Sequence, residues 1–287
     1  MQKANSWAKL GAVRVENMAA DSDTALANVK RSISLGLPEL DWLPENGKFK
    51  GGEPIAIVAA GPSLRYTLSE LGAFRTIMVA GSAHDFVVSR GVKPTYAAMV
   101  DPTPIQAVSY LSNPQVTCNY LIASQCAPDV FERLKNYPVT LWHCAGSLNG
   151  EDLLGDLTKG RVQIEAGGCT IGLRAIALAN QLGYYEQHLF GFDSCLDPNS
   201  EESHAFPFND PSIEFKNGNA AEVMTIKIGV DKEFARAFKV PNYLVNQAWE
   251  FEKMLKRSEG AVKFTVHGDG VFAEMLRLYN DATRRKY

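Results

Sequence analysis

The sequence predicts an α/β protein with a Rossmann-like, mostly parallel sheet and helices on both faces. Three observations carry this. Short apolar runs rich in β-branched residues recur along the chain, and each stops at a turn of small residues or Asp. Most of these turns lead into a stretch with helical spacing, and a strand–helix alternation implies parallel strands joined by crossover helices. The chain has 287 residues, 46% of them hydrophobic, which suits one large domain with a sizeable core.

Residues 1–50 read as an N-terminal helical extension, and residues 51–287 as the main domain. Ala25, Val29 and Ile33 recur at helical spacing over 21–34, whereas 37–52 is rich in Pro, Gly and charge and reads as a loop. The first strand is Ile55-Ala56-Ile57-Val58, ending at Gly61-Pro62-Ser63, with a helix over 64–71 behind it. A second strand over 76–80 ends at Gly81-Ser82 and leads to a helix over 83–90 that Gly91 closes. The third strand, 96–100, ends at Asp101-Pro102 ahead of a helix over 104–111. A strand over 120–123, a helix over 128–134 and a strand over 139–142 continue the rhythm.

Paired glycines and Thr170, which suits a cap, open an apolar helix over 167–182, and Gly183 closes it. The next strand, 188–192, ends at Asp193. Residues 194–232 are a loop and hairpin insertion. Its polar, Pro-rich part (194–211) reads as an active-site loop or lid, and 213–216 with 224–228 flank Asn217-Gly218 as an irregular hairpin. An amphipathic helix over 241–258 uses Leu244, Ala248, Phe251 and Leu255. The last strand is 261–266, followed by His267-Gly268-Asp269-Gly270 and a closing helix over 271–279. Arg284-Arg285-Lys286 reads as a solvated end.

Composition narrows the function classes. A net charge of −3 gives no global reason to expect nucleic acid or an anionic membrane as partner. No stretch is long and apolar enough to span a bilayer, and residues 1–20 lack an apolar signal segment, so a cytoplasmic location is expected. Cys118, Cys126, Cys144, Cys169 and Cys195 are odd in number and scattered, which suggests neither a zinc site nor a disulfide framework.

In a parallel sheet, ligands bind beyond the carboxyl ends of the strands. The residues expected there are Gly61, Pro62, Ser63, Gly81, Ser82, Asp101, Gly167, Gly168, Thr170, Gly191, Asp193 and the His267-Gly268-Asp269 turn. Small residues leave room for a ligand and expose backbone N–H groups, and carboxylates bind ribose hydroxyls or Mg²⁺. Each also has a plainer reading. Gly61–Ser63 fits an ordinary tight turn, Ser63 and Asp101 fit helix caps, and Asp193 fits a loop cap. His204, in the polar loop, is either an exposed side chain or a general base or acid that closes over substrate. His84 and His143 read as structural.

The segments IVAAGPSL, AGSAHDFVVSRGVKPTYAAMVDP and GGCTIGLRAIALANQLGYYEQHLFGFD resemble the MptE-like family (domain of unknown function 115) over residues 54–193. That family includes archaeal 6-hydroxymethylpterin diphosphokinases and the bacterial motility accessory factors associated with transfer of nonulosonic acids to flagellin. The outline also resembles bacterial sialyltransferases that use CMP-sialic acid, which carry a catalytic histidine in a following mobile loop, where this chain has His204. Those enzymes have Asn where this chain has Ala60 and Asp101. On these points the chain sits better with the MptE-like group, where an acidic residue would serve a metal–nucleotide complex.

The resemblance implies a transferase using a nucleotide or nucleotide-sugar donor, with Mg²⁺ as a candidate cofactor. Gly61, Pro62, Ser63, Gly81, Ser82, Gly167, Gly168, Thr170, Gly191 and Asp193 would bind the nucleotide, with His204 and Asp101 catalytic and Asp101 the candidate metal ligand. Glycosyl transfer is favoured. The alternatives are a Mg-ATP-dependent diphosphokinase and a non-catalytic nucleotide-binding or assembly protein. Expected partners are a small-molecule donor and an unidentified acceptor, with self-association open.

Overall fold

The computed structural model describes residues 22–40, 52–104, 107, 109–144, 156–157, 163–164, 170–207, 222–229, 235–258 and 260–284. Among these, eight strands form one parallel sheet. In chain order they are β1 (Ile55–Val58), β2 (Thr76–Ala80), β3 (Tyr96–Met99), β4 (Asn119–Ala123), β5 (Val139–Cys144), β6 (Gln163–Ile164), β7 (Glu186–Phe190) and, after the hairpin strands β8 (Val223–Ile228) and β9 (Arg236–Pro241), β10 (Lys263–His267). The sheet order is β10-β7-β1-β2-β3-β4-β5-β6. The chain thus builds outward from β1 to β6, then returns to lay β7 on the other side of β1, with Ile57 paired to Met78 of β2 and to Leu189 of β7. The strand order reverses between β1 and β7, where open α/β sheets bind ligands.

Every residue of β1 and β2 is buried, which is why both read as continuous apolar runs rather than alternating ones. Two apolar layers flank the sheet. On one face Leu173, Ile176, Phe251 and Phe272 belong to the larger core, contributed by α5 (Ile171–Gln181), α6 (Asn242–Ser258) and α7 (Val271–Arg284). The Phe251 and Phe272 rings stack there with centroids 4.1 Å apart. On the other face Leu64, Leu71, Phe86 and Val87 cover Ala56, Val58, Val79 and Phe190. They come from α2 (Leu64–Thr67), the 3₁₀ turn Leu68–Ala73 and α3 (Ala83–Val88). The sheet is therefore Rossmann-like, with helices on both faces.

The first helix, α1 (Ser22–Ser34), buries Ala25 and Val29. It also buries two polar side chains one turn apart. Asn28 Nδ2 donates to the carbonyls of Pro102 and Gln125, and Ser32 Oγ to that of Ser124. Residues 38–40 then run beside β5, exchanging backbone hydrogen bonds with Leu141. Satisfying these buried groups fixes α1 to the carboxyl ends of β3 and β4. Behind them, α4 (Pro128–Arg133) starts with Pro in its first turn, where a missing N–H is tolerated.

Some elements differ from the sequence expectation. The helix expected over 64–71 is one α-turn followed by the 3₁₀ turn. The strand expected over 188–192 is Glu186–Phe190, because Gln187 is fully buried and its amide donates to the Ile176 and Tyr184 carbonyls. In the hairpin, β8 pairs antiparallel with β9, and the expected partner stretch 213–216 lies outside the described residues. Phe238 and Val240 of β9 are buried while Ala237 and Lys239 are exposed, the alternation that marks a half-buried strand. Part of the helix expected over 104–111 also lies outside the described residues, as does Cys169. The other four cysteines are buried and form no disulfide among the described residues.

Candidate functional site

The carboxyl ends of β1, β7 and β10 meet in an interlocked junction. Gly61 N–H donates to the Gly191 carbonyl at 2.9 Å, and Ala59 N–H to that of Phe190 at 2.8 Å. A Cβ on Gly61 would stand 2.4 Å from both Asp193 Oδ2 and the Gly191 oxygen. Gly191, at φ +68°, would bring a Cβ to 2.4 Å from the Ala59 oxygen. Both glycines are needed so that two backbones can touch. Asp193 Oδ2 then accepts from Ser63 N–H and Ser63 Oγ, each at 2.9 Å. The β10 turn closes the junction from the far side, where Val271 N–H donates to the Asp193 carbonyl and Gly268 packs against Ser63.

This arrangement changes the role of the Gly-Pro-Ser turn. Pro62 has no N–H, and the amides of Gly61, Ser63 and Leu64 all donate within the protein. Ser63 makes no side-chain cap to its helix, since its hydroxyl is spent on Asp193. The Asp193 carboxylate holds the donors that a bound phosphate would take. It is 5% exposed, and burial pushes its pKa up to about 6 against the lowering effect of Ser63. Desolvation wins because the charged form loses water and regains only part of it as hydrogen bonds.

One strand over, the edge is more open. Gly81, at φ +52°, turns the chain from β2 into α3, and its N–H donates to the Ala98 carbonyl. Among the described residues, the amides of Ala60 and Ser82 donate to nothing, and the Ser82 hydroxyl makes no cap. Above them sits the start of α5. Thr170 caps it, its Oγ1 accepting from Leu173 N–H. Ile171 comes within 2.9 Å of where a Gly81 Cβ would be, and Gly172 lies against Phe192 and Ala59. The α5 N-terminus therefore stands over the ends of β7, β1 and β2. Gly167 and Gly168 lie outside the described residues.

The polar loop closes the other side. Ala205 is buried and its N–H donates to the Ala60 carbonyl at 2.9 Å. Phe206 packs on Phe86 of α3 with centroids 5.0 Å apart. Just before these anchors His204 is half-buried beside the end of β1, its Nδ1 2.9 Å from Ser203 Oγ. Arg65, absent from the residues expected at the site, holds this stretch through two consecutive carbonyls, those of His204 and Ala205. Its only sequence signal is a basic residue two places after Ser63.

Asp101 lies on the same edge, at the end of β3. Its Oδ1 accepts from Thr103 N–H and Thr103 Oγ1, at 2.9 and 2.7 Å. Among the described residues no three His, Cys, Asp or Glu side chains gather in a way that could hold a metal ion. Asp101 stands there as a single carboxylate, with no such group around it among the described residues. His84 is fully buried between Asp85, the Tyr110 carbonyl and Tyr120. His267 stacks on Phe190 and contacts His188 and Glu70. Among the described residues no helix is long and apolar enough to cross a membrane.

The sequence matches the model of a family described as 6-hydroxymethylpterin diphosphokinase MptE-like over residues 25–199. Among solved structures, the chain is similar to the MAf glycosyltransferase from Magnetospirillum magneticum AMB-1, at 12% identity and a TM-score of 0.60, over 94% of this chain. It spans 43% of that protein's length, and the likeness is one of fold. A short chain alcohol dehydrogenase from E. coli CFT073 complexed with NADH aligns at 10% identity over 51% of this chain and 50% of that one, but its TM-score of 0.20 carries no argument. No curated protein matches the chain.

Proposed function

We propose that this chain, which belongs to the MptE-like family, is a transferase that binds a nucleotide or nucleotide-sugar donor at the carboxyl edge of β1 and β2. The supporting observation is convergence. Ala60, Gly81-Ser82, the start of α5 and His204 come from four separate stretches to one edge, beside the point where the strand order reverses. The donor's phosphates take the open amides of Ala60 and Ser82, and the Ser82 hydroxyl adds a third contact. Ser63 and Asp193 serve this site as the scaffold behind it.

Glycosyl transfer is the favoured reaction. His204 accepts the proton of an acceptor hydroxyl, the acceptor oxygen attacks the anomeric carbon, and the bond from that carbon to the phosphate oxygen breaks with its electron pair staying on phosphate. Asp101, further along the edge, is assigned to a ribose or acceptor hydroxyl. The family description favours a second reading, diphosphate transfer from ATP to an alcohol, in which the hydroxyl attacks phosphorus and AMP leaves. A Mg²⁺ ion there would be held chiefly by the substrate's own phosphates, since the described residues hold no cluster of three His, Cys, Asp or Glu side chains that could bind it. A cytoplasmic location fits either donor.

A thermal-shift screen against CMP, CDP, UDP, GDP, ADP, ATP and their sugar conjugates, with and without Mg²⁺, tests this. A ligand at 100 times its Kd stabilises the fold by about 2.7 kcal/mol. A metal-independent shift with CMP or UDP species supports glycosyl transfer, and a shift only with ATP and Mg²⁺ supports the diphosphokinase. No shift with any nucleotide overturns the proposal in favour of a non-catalytic assembly protein.

A further inference from the structure

We infer that Arg65 is the positioning residue for His204, the side chain that fixes the candidate base beside the ends of β1 and β2. This rests on the reading of His204 as the group that takes the acceptor proton. Arg65 leaves the first turn of α2, two residues after Ser63, so its backbone is set by the Ser63–Asp193 junction. Its planar fork then divides. Nε donates to the Ala205 carbonyl at 2.7 Å and Nη2 to the His204 carbonyl at 2.8 Å. Nη2 also pairs with the Glu202 carboxylate, and Nη1 reaches Ser200 Oγ at 3.4 Å.

Two consecutive carbonyls held by one rigid group define the path of the main chain at His204, with Ala205 N–H on Ala60 as a third fixed point. The Ser203 hydroxyl then sets the imidazole itself through Nδ1. The Arg65 side chain is 25% exposed, so these bonds are shielded from water more than a surface pair is. Hydrogen bonds from a charged donor are the stronger kind, and a lysine's single ammonium cannot meet two carbonyls and a carboxylate at these fixed angles. The loop is thereby a strap tied to the scaffold, and the scaffold's geometry passes through Arg65 to the base.

The test is side-chain NMR of the full chain with labelled imidazoles, His204 being assigned with His204→Gln. In Arg65→Gln, the His204 ring is expected to move to the shifts and tautomer ratio of an exposed imidazole, while His84, His143, His188 and His267 keep theirs. Exchange of the Ala205 amide should quicken by about tenfold, equivalent to about 1.4 kcal/mol. Arg65→Lys should show the same His204 displacement, and Glu202→Gln should leave the ring in place because both carbonyl bonds remain. An unmoved His204 ring in Arg65→Lys overturns the inference, including the case where Arg65→Gln fails to fold. Full rescue by lysine in Arg65→Lys of the Ala205 exchange rate overturns it as well.

None of these measurements needs a nucleotide. In a chain that binds none, the ring shifts still decide the role of Arg65, and a displaced His204 beside an absent nucleotide shift sinks the functional reading alone. With a donor in hand, Arg65→Gln should lower kcat by about tenfold and leave the donor KM within about twofold, since the displaced His204 acts on the acceptor in the transition state and not on the bound donor.

Discussion

Two adjacent parts of one sheet edge are built in opposite ways. From Gly61 onward the turn after β1 is locked against the ends of β7 and β10: Gly61 against Gly191, Ser63 against Asp193, Gly268 against Ser63. Toward β2, one strand away, the amides of Ala60 and Ser82 have no protein partner among the described residues, beneath the start of α5 and beside the His204 strap. A Gly-Pro-Ser turn after a buried strand reads as a ligand cradle. Here its glycine serves contact between two backbones, and a plainer Gly-Ser turn carries the open donors. The interlocked part is the scaffold, and the open part is where chemistry has room.

The largest effect expected from this contrast is at Gly61. In Gly61→Ala the new methyl meets a carboxylate and a backbone oxygen, neither of which is the free end of a flexible chain. The expected loss is about 3 kcal/mol or more, or a fall in Tm of roughly 10 °C by calorimetry. Gly72→Ala is the control, with nothing within 4 Å of its Cβ, and its change should stay within about 1 kcal/mol. Equal effects from the two would mean that the interlock is not there.

Much of the scaffold is legible in the sequence, because short-range signals define it. The spans of β1, β2 and α5 follow from β-branched runs, small-residue turns and the Thr170 cap, which are local features. What joins them is not local. Ser63 and Asp193 bond across 130 residues, and nothing in either neighbourhood announces the other. Arg65 meets the 200–205 stretch across a similar separation. The hairpin partner escapes sequence reasoning for a different reason. Pro241 suits a helix start, and that assignment hides the inward alternation of Phe238 and Val240 in a strand that Pro241 instead ends. Glu186 and Gln187 look like loop residues until Gln187 is seen buried with its amide nitrogen donating to two carbonyls.

The next effect sharpens the idea that Asp193 belongs to the scaffold. Its carboxyl is raised by burial from an ordinary value of 3.8 to about 6. Between those two values the folded chain keeps a proton that the unfolded chain has released. Stability therefore falls as pH rises from about 4 to about 6, and is level above that. Asp193→Asn removes the titration while keeping an oxygen for Ser63. Its stability should be flat across that window and exceed the wild type at pH 7 by on the order of 2 kcal/mol. Asp193→Ala instead strands Ser63 N–H and should lose roughly 1–3 kcal/mol at pH 5. Denaturant midpoints at pH 4.5 and 7 check both. A wild type whose stability rises through this window, once compared with Asp193→Asn, would reverse the sign.

Gly81 lies on the boundary between the two regions. In Gly81→Ala the left-handed backbone angle costs about 1–2 kcal/mol, and the new methyl presses on Ile171 Cγ2, the movable end of a side chain at the start of α5. Gly91→Ala has the same backbone problem at φ +81° with nothing within 4 Å. Both should lower Tm by similar small amounts. Only Gly81→Ala should weaken the nucleotide-induced shift, because it displaces the wall over the open donors. If Gly91→Ala weakens it equally, the donor does not sit at the end of β2.

The smallest effect on stability is the most informative about the open part. The Ser82 hydroxyl makes no cap bond to α3 and the residue is only half-buried, so Ser82→Ala should change Tm by no more than the about 0.5 kcal/mol typical of such sites. If that hydroxyl contacts a donor phosphate, the same change should weaken nucleotide binding by roughly ten- to a hundredfold, since a hydrogen bond to a charged group is worth roughly 1.5–3 kcal/mol. Ser63→Ala is its mirror image. It takes a partner from Asp193 and should lower Tm clearly, while nucleotide affinity in the folded fraction changes little. Isothermal titration of the two variants beside their melting curves separates the roles. Should Ser63→Ala lose binding and Ser82→Ala keep it, the ligand belongs at the Gly-Pro-Ser turn after all, with Asp193 swinging aside to admit it.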